Sequence, residues 1–136
     1  MRSLVVDASA AIAWLVDSQS SARSTDFAET LPTYRLIAPD VFAWEMANLL
    51  RRFAVAKVLD LEEGSAMLSA LNITHSSARP ARQVYELAPL ARDVGLSLYD
   101  AAYLALAVEA DAELVSRDTA LLTAARAHAI PCHDLN

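Results

Sequence analysis

Short apolar runs alternate with longer amphipathic segments along the chain, and this alternation predicts the secondary structure. Three short runs predict strands buried in a parallel sheet, at residues 4–6, 36–38 and 113–116. The longer segments between and after them carry apolar positions at helical spacing, as along residues 41–55. They predict helices over residues 8–15, 20–31, 41–55, 61–71, 80–92, 98–110 and 119–129.

Individual residues mark the predicted ends of these elements. Pro32 ends the second helix, Pro39 closes the second strand, and Asp40 is expected to cap the helix over residues 41–55. Pro89 is expected to kink the helix over residues 80–92, and residues 72–78 are expected to form a loop or a weak edge strand. The alternation predicts an α/β sandwich around a short, mostly parallel sheet, in a single domain over residues 1–136.

Composition narrows the function classes. Two glycines exclude a glycine-rich phosphate loop, and a single cysteine, Cys132, excludes a disulfide framework or a multi-cysteine zinc site. A net charge of −6 argues against nucleic-acid binding by bulk electrostatics alone. Asp7 interrupts the N-terminal apolar stretch, and no segment reaches the roughly 18 apolar residues of a membrane span. We therefore expect a soluble cytoplasmic protein.

Four acidic residues fall near the ends of predicted strands or the starts of helices. Asp7 ends the first strand, Glu45 lies one turn into the helix after the second strand, Asp100 opens a helix, and Asp118 follows the third strand. The carboxyl ends of parallel strands form one edge, where α/β folds bind ligands. Carboxylates that converge there repel one another unless a cation joins them or some are protonated. Oxygen ligands select Mg²⁺ or Mn²⁺, and two such ions about 3.5–4 Å apart support phosphodiester hydrolysis.

Helix capping is the competing explanation for these acids, because aspartate at a helix start is usually structural. Capping alone accounts for Asp118 and Asp40. It accounts less well for Glu45 and Asp100, since each adjoins an apolar stretch, at residues 41–44 and 101–104 respectively.

Four sequence motifs in the same order resemble the PIN-domain family, and their spacing is most similar to the VapC-type toxins of bacterial toxin–antitoxin pairs. The resemblance spans essentially the whole chain. The motifs are VVDASA at residues 5–10, APD at 38–40 with EMANLL at 45–50, LYDAAYLALA at 98–107, and LVSRD at 114–118 with Leu121.

The resemblance implies a Mg²⁺- or Mn²⁺-dependent endoribonuclease with a three-layer α/β/α, Rossmann-like fold. The family's catalytic and metal-binding acids correspond to Asp7, Glu45, Asp100 and Asp118. The family's hydroxyl beside the last acid corresponds to Ser116, where threonine is more common, and Ser9 and Asn48 match positions that orient the site. The implied partners are RNA and a cognate antitoxin that inhibits the enzyme and tethers it to operator DNA.

Further residues receive weaker interpretations. Glu45, Asn48 and Arg52 share one helix face, so Asn48 is expected to bond a carboxylate or a metal-bound water. The arginines expected to hold RNA, with pairing to surface acids as the alternative, are Arg51, Arg52, Arg79 and Arg82. The sequence favours packing roles for Tyr99 and Tyr103 over stacking on a base, and none of the three histidines is assigned a role.

Other functions remain open at this point. A PIN nuclease of RNA processing or decay would share the chemistry without being a toxin, and a binding module would use the acids only as caps. A phosphotransfer enzyme of the Asp-x-Asp type is disfavoured, because Ser9 stands at the second aspartate position and the only lysine is Lys57. Apolar helix faces that include Trp14, Trp44 and Phe53 suggest a homodimer.

Overall fold

The computed structural model describes all 136 residues and contains one five-stranded sheet in the order β3-β2-β1-β4-β5. Every neighbouring pair is parallel, with Val5 of the central strand opposite Ile37 on one side and Leu114 on the other. The predicted parallel sheet is therefore confirmed. The strands are β1 Arg2–Val6, β2 Tyr34–Ala38, β3 Thr74–His75, β4 Glu113–Ser116 and β5 Cys132–Asp134.

Seven α-helices flank the sheet, as expected for a three-layer α/β/α fold. Two short 3₁₀ turns lie on either side of the second helix, at Asp17–Gln19 and Leu31–Thr33. None of the helices is long and apolar enough to cross a membrane. The helices are α1 Ala8–Leu15, α2 Ala22–Ala28, α3 Val41–Val55, α4 Leu61–Ala70, α5 Ala81–Val94, α6 Leu98–Glu109 and α7 Thr119–Ala127.

The structure departs from the predicted elements at several ends. Helix α2 starts later than expected because Ser21 caps it in a reciprocal capping box with Ser24. The expectation that Asp40 caps α3 is wrong, because its backbone is already helical and its side chain makes no capping bond. Helix α5 continues through Pro89 to Val94. The two-residue β3 lies within the segment expected to be a loop or weak edge strand.

Strand β5 was missed because its sequence, Cys-His-Asp, has no apolar alternation. Backbone pairing with β4 defines this strand, with Leu114 opposite Cys132 and Ser116 opposite Asp134. As a result, His133 belongs to the sheet rather than to a terminal loop.

The core holds the ends of the central strands in fixed positions. Leu4, Val5 and Val6 of β1 are completely buried, as are Leu114 and Val115 of β4. Alanines line the buried face of α1, and their small side chains permit close packing on the sheet. Glycine would also permit such packing but would weaken the helix. The residues that follow β1 and β4 are therefore attached to the most buried part of the molecule.

Candidate active site

Asp7 lies where the central strand passes into α1, and it is almost completely buried, with 5% of its surface exposed. Its backbone is extended, and its Oδ1 accepts a 2.9 Å hydrogen bond from the Ala10 backbone N–H, so it caps α1. The preceding strand fixes its backbone and the cap fixes its side chain. A carboxylate is thus held in the core at the carboxyl edge of the sheet.

Two serine hydroxyls complete the surroundings of this carboxylate. Ser9 Oγ donates to Asp7 Oδ1 at 2.8 Å and Ser116 Oγ donates to Asp7 Oδ2 at 2.5 Å. Each hydroxyl also accepts a 2.8 Å bond from a backbone N–H after β4, Ser9 from Arg117 and Ser116 from Asp118. The two serines therefore join the end of β1 to the turn that follows β4.

Burial raises the pKa of Asp7 to about 6, from an ordinary value of 3.8. The bonds from Ser116, Ala10 and Ser9 oppose this rise, whereas the negative charge of Asp118 adds to it. The hydrogen bonds recover only part of the cost of removing the charge from water. Asp7 thus exchanges its proton closer to neutral pH than an exposed aspartate does.

Glu45 of α3 is tied to α6 through a tyrosine hydroxyl. Tyr103 Oη donates a 2.7 Å bond to Glu45 Oε1, and the tyrosine itself is only 1% exposed. Burial raises the pKa of Glu45, the Tyr103 bond opposes this, and the charge of Asp100 raises the pKa further. Burial and the nearby charges of Glu45, Asp7 and Asp100 raise the pKa of Tyr103 above its usual range, so its hydroxyl stays protonated.

Asp100 and Asp118 complete the group of acids. Asp100 lies in the first turn of α6, where Ser97 Oγ caps the helix by accepting from the Asp100 N–H at 3.1 Å. Burial raises the pKa of Asp100, with an opposing effect of Ser97 and a further rise from the charge of Asp118. Asp118 caps α7, its Oδ1 accepting from the Leu121 N–H at 3.1 Å.

The four acids are therefore close enough for the charge of one to raise the pKa of its neighbour along the edge of the sheet. Asp118 acts on Asp7 and on Asp100, and Asp100 acts on Glu45. Even so, no three His, Cys, Asp or Glu side chains are grouped so as to hold a metal ion together. Mg²⁺ is commonly bound through only one or two carboxylates and several waters, so this oxygen-only donor set fits the ion without such a group.

Two of these acids, Glu45 and Asp118, line an open cavity of about 480 Å³, whereas Asp7 and Asp100 do not. Arg117 lines it, and its Nη1 donates a 2.9 Å bond to the Gln19 carbonyl. The backbone carbonyl of Arg117 in turn accepts a 2.9 Å bond from Asn136 Nδ2. The ten lining residues are Ala8, Ser9, Ile12, Gln19, Glu45, Leu49, Phe53, Arg117, Asp118 and Asn136.

Asn48 lies apart from this arrangement. Its side chain is exposed on α3, and its Oδ1 accepts a 3.0 Å bond from Arg51 rather than bonding an acid of the cleft. Among the expected RNA-holding arginines, Arg79 pairs with Glu109 at 2.8 Å and Arg82 with an acid of its own helix at 3.2 Å. The alternative interpretation, pairing with surface acids, applies to these two.

Sequence reasoning missed three contributors to the site. The Tyr103 ring packs in the core as expected, but its hydroxyl serves Glu45, and only the spacing of Tyr103 from Asp100 on α6 could have signalled this. Gln19 and Asn136 reach the cavity from segments that carry no motif, so nothing in the sequence indicated them.

The chain is similar to a known protein family and to a characterised relative over most of its length. A family model described as PIN domain matches residues 4–127. The chain is 35% identical over 128 residues to Ribonuclease VapC3 of Pyrobaculum aerophilum, covering 87% of this chain and 91% of that protein.

Two solved structures share the fold. PAE2754 from Pyrobaculum aerophilum superposes with a TM-score of 0.74 at 22% identity, covering 98% of this chain and 90% of that one. FitAcB from Neisseria gonorrhoeae superposes with a TM-score of 0.62 at 15% identity, covering 96% of each chain. At these sequence identities the superpositions are evidence for the fold alone.

Proposed function

Because the chain belongs to the PIN-domain family, we propose that it is a VapC-type toxin, a metal-dependent endoribonuclease that an antitoxin neutralises. The relative at 35% identity is named a ribonuclease, which supports hydrolysis of RNA phosphodiester bonds. The proposed catalytic and metal-binding residues are Asp7, Glu45, Asp100 and Asp118. Ser9 and Ser116 position Asp7 and the backbone before Asp118.

The observation that carries this proposal is the mutual influence of acids from four distant segments. Asp7, Glu45 and Asp100 each have a pKa raised by burial and by the charge of a neighbouring acid. Like charges held together in partly buried positions destabilise the folded protein when no metal is bound, and a divalent cation would relieve that repulsion. Such an arrangement is typical of a functional site.

Helix capping explains only half of the acids. Asp7 and Asp118 do cap α1 and α7. Glu45, however, lies inside α3, and the cap of α6 is Ser97 rather than Asp100. A binding module that used acids only as caps would have no reason to place Glu45 and Asp100 beside other acids. Here the charge of Asp100 raises the pKa of Glu45, and the charge of Asp118 raises the pKa of Asp100.

Mg²⁺ or Mn²⁺, as one ion or two, would be held by Asp7, Glu45, Asp100 and Asp118. When bound, such an ion lowers the pKa of an attacking water and stabilises the leaving oxygen of the phosphodiester. Asp7 is pre-oriented for this by the hydroxyls of Ser9 and Ser116.

Other residues of the chain orient the remaining acids or add charge beside them. Tyr103 fixes Glu45 Oε1 and leaves Oε2 without a protein donor, so that oxygen is available to a ligand or a water. Arg117 sits beside Asp118 at the cavity wall and adds positive charge there. Asn48, from its exposed position, remains a proposed helper for water or RNA.

The partner side of the proposal follows from charge. An acidic cleft in a chain of net charge −6 attracts a cationic protein segment, which fits inhibition by an antitoxin. The complex reaches operator DNA only through that antitoxin, and the toxin acts in the cytoplasm as a homodimer or with its antitoxin.

Controlled expression in bacteria tests this function. We expect growth arrest from the native chain, no arrest from Asp7→Asn/Asp100→Asn, and arrest from Asp40→Asn. Asp40 is a matched control because it lies between β2 and α3 and its side chain makes no capping bond. Growth without arrest, from a chain that still cuts RNA in vitro, would favour a nuclease of RNA processing or decay.

A further inference from the structure

One arginine lines the acidic cavity without pairing with either of its acids. Arg117 is the only positively charged side chain at the cavity wall, beside Glu45 and Asp118. No ion pair joins it to either acid, although Asp118 is the next residue in the chain. On α5, Arg92 Nε does donate to the adjacent Asp93 at 3.0 Å, so an arginine can reach an acid that directly follows it. The separation of Arg117 from Asp118 therefore calls for an explanation.

The guanidinium of Arg117 is held by a backbone carbonyl instead. Its Nη1 donates a 2.9 Å bond to the carbonyl of Gln19, the last residue of the 3₁₀ turn Asp17–Gln19. That turn is closed by a 2.8 Å bond from the Gln19 N–H to the carbonyl of Val16, which is buried. The acceptor thus belongs to a closed turn that follows a buried residue, and it fixes the far end of the Arg117 side chain.

The backbone of Arg117 is held separately by the segment that follows β5. Asn136 Nδ2 donates a 2.9 Å bond to the Arg117 carbonyl, and Asp134 Oδ1 orients this carboxamide by accepting from Asn136 N and Nδ2 at 2.9 and 2.7 Å. The intervening Leu135 is buried, and its N–H donates to the Ser116 carbonyl at 3.0 Å. Asn136 therefore fixes the peptide group that joins Arg117 to Asp118.

Both acids of the cavity keep one carboxylate oxygen without a protein donor. Asp118 Oδ1 accepts from the Leu121 N–H at 3.1 Å, and Oδ2 has no such bond. Glu45 Oε1 accepts from a tyrosine hydroxyl, and Oε2 is likewise free. A guanidinium bonded to Asp118 would occupy the free oxygen and neutralise the charge that a divalent cation needs.

We propose that Gln19 and Asn136 clamp Arg117 at its two ends and so keep its guanidinium away from Asp118, which leaves that carboxylate free for a divalent cation. Asn136 is accordingly a positioning residue of the metal site. The inference rests on the proposed metal-dependent function, and it adds a residue that keeps an internal cation from competing with the metal.

The backbone at Asp118 offers a competing explanation. Its dihedral angles, φ −84° and ψ 110°, are extended, and successive side chains of an extended segment point to opposite sides. On that explanation Asn136 only stiffens the turn, and the Arg117 side chain is irrelevant to the metal. Loss of Asn136 would then weaken metal binding equally whether or not the guanidinium is present.

A double-mutant cycle on metal binding distinguishes the two explanations. Mn²⁺ is titrated by calorimetry into the native chain, Asn136→Ala, Arg117→Ala and Asn136→Ala/Arg117→Ala. We expect Asn136→Ala to weaken Mn²⁺ binding about fivefold when Arg117 is present and less than about twofold when it is absent. Asn136→Gln keeps the carboxamide and should recover part of the affinity.

RNA cleavage gives a second measurement. Asn136→Ala should raise the Mn²⁺ concentration that gives half of the maximal rate, while kcat at saturating Mn²⁺ stays within about twofold of native, because excess metal displaces the guanidinium. Arg92→Ala controls for the loss of a positive charge, and Gln83→Ala for the loss of an exposed carboxamide on α5. Both controls should leave Mn²⁺ affinity unchanged.

The outcomes separate this proposal from the proposed function. Equal weakening by Asn136→Ala in the presence and absence of Arg117, or native Mn²⁺ affinity in Asn136→Ala, would overturn the clamp while the metal site stands. A native chain that binds no Mn²⁺ would instead overturn the proposed metal site, and the clamp with it. Failure of the function is thus seen in the native chain, and failure of the clamp alone only in the variants.

Discussion

Ser116 Oγ donates a 2.5 Å hydrogen bond to Asp7 Oδ2 and at the same time accepts a 2.8 Å bond from the backbone N–H of Asp118. A single completely buried hydroxyl therefore sets the distance between the ends of β1 and β4 and between two of the acids. The arrangement needs a residue that both donates and accepts in a small space, which serine and threonine provide.

Replacing Ser116 tests how far this hydroxyl supports the site. Ser116→Ala leaves the buried Asp7 oxygen and the Asp118 N–H without their partner, and we expect a loss of about 1–3 kcal/mol of unfolding free energy. Ser24→Ala is the matched control, because Ser24 is equally buried but belongs to the capping box of α2, where its hydroxyl accepts from the Ser21 backbone N–H. Denaturant unfolding and RNA cleavage should show both variants destabilised and only Ser116→Ala inactive. Ser116→Thr keeps the hydroxyl and should retain cleavage.

Asp7 should make the stability of the metal-free protein fall as pH rises. Its folded pKa is about 6 against an ordinary value of 3.8, so the folded state binds the proton more tightly. The resulting stabilisation is complete below about pH 4 and is lost as pH rises through about 6, a change of roughly 3 kcal/mol.

Asp7→Asn isolates this effect, since asparagine also caps helices and carries no charge. Urea unfolding in EDTA should show the variant gaining stability over the native chain between pH 5 and pH 8. Asp40→Asn should show no such gain. A constant difference between Asp7→Asn and the native chain over that pH range would contradict the burial of a charged Asp7.

Tyr103→Phe should separate the packing of the ring from the work of its hydroxyl. The ring still fills the core, so we expect a loss of only about 1 kcal/mol. Glu45 loses its fixed oxygen, and kcat for RNA cleavage should fall about tenfold.

The matched control for Tyr103→Phe is Tyr34→Phe. Tyr34 Oη donates to Glu113 at 2.9 Å at the start of β2 and β4, the opposite end of the sheet. Its removal should cost similar stability in a thermal melt and leave cleavage unchanged. Equal loss of cleavage in both variants would show that Glu45 gains nothing specific from Tyr103.

Mn²⁺ or Mg²⁺ should raise the melting temperature of the native chain. An ion present at 100 times its dissociation constant adds about 2.7 kcal/mol, which for a chain of this size is roughly 5–10 °C. Asp40→Asn should show the same rise and Asp7→Asn/Asp100→Asn should show none. An equal rise in all three proteins would place the ion elsewhere, and no rise in any would favour a binding module.

The sequence was sufficient for the features that depend on periodicity. The apolar runs ending at Val6 and Ser116 and the helical stripe of α3 have strong local patterns, and the structure contains all of them. Strand β5 was missed because its existence depends on pairing with β4 and not on its own composition. Local pattern likewise favoured Asp40 as a cap, although its helical backbone leaves its side chain no such role.

The site could be predicted from the sequence only in part, for a related reason. The spacing of the motifs placed four acids near strand ends, but it could not show that Tyr103 reaches across from α6 to Glu45. Nor could it separate Arg79, which pairs with Glu109, from Arg51, which pairs with no acid. Both distinctions depend on contacts between residues far apart in the chain, and these follow from tertiary packing.

Cleavage of total cellular RNA by the purified chain, free of any antitoxin, tests the central claim most directly. The native chain and Asp40→Asn should give discrete fragments with Mn²⁺ and none with EDTA, while Asp7→Asn/Asp100→Asn should leave the RNA intact in both. Intact RNA in every lane from folded protein, or fragments that persist in EDTA and in the double variant, would contradict a metal-dependent ribonuclease built on these acids.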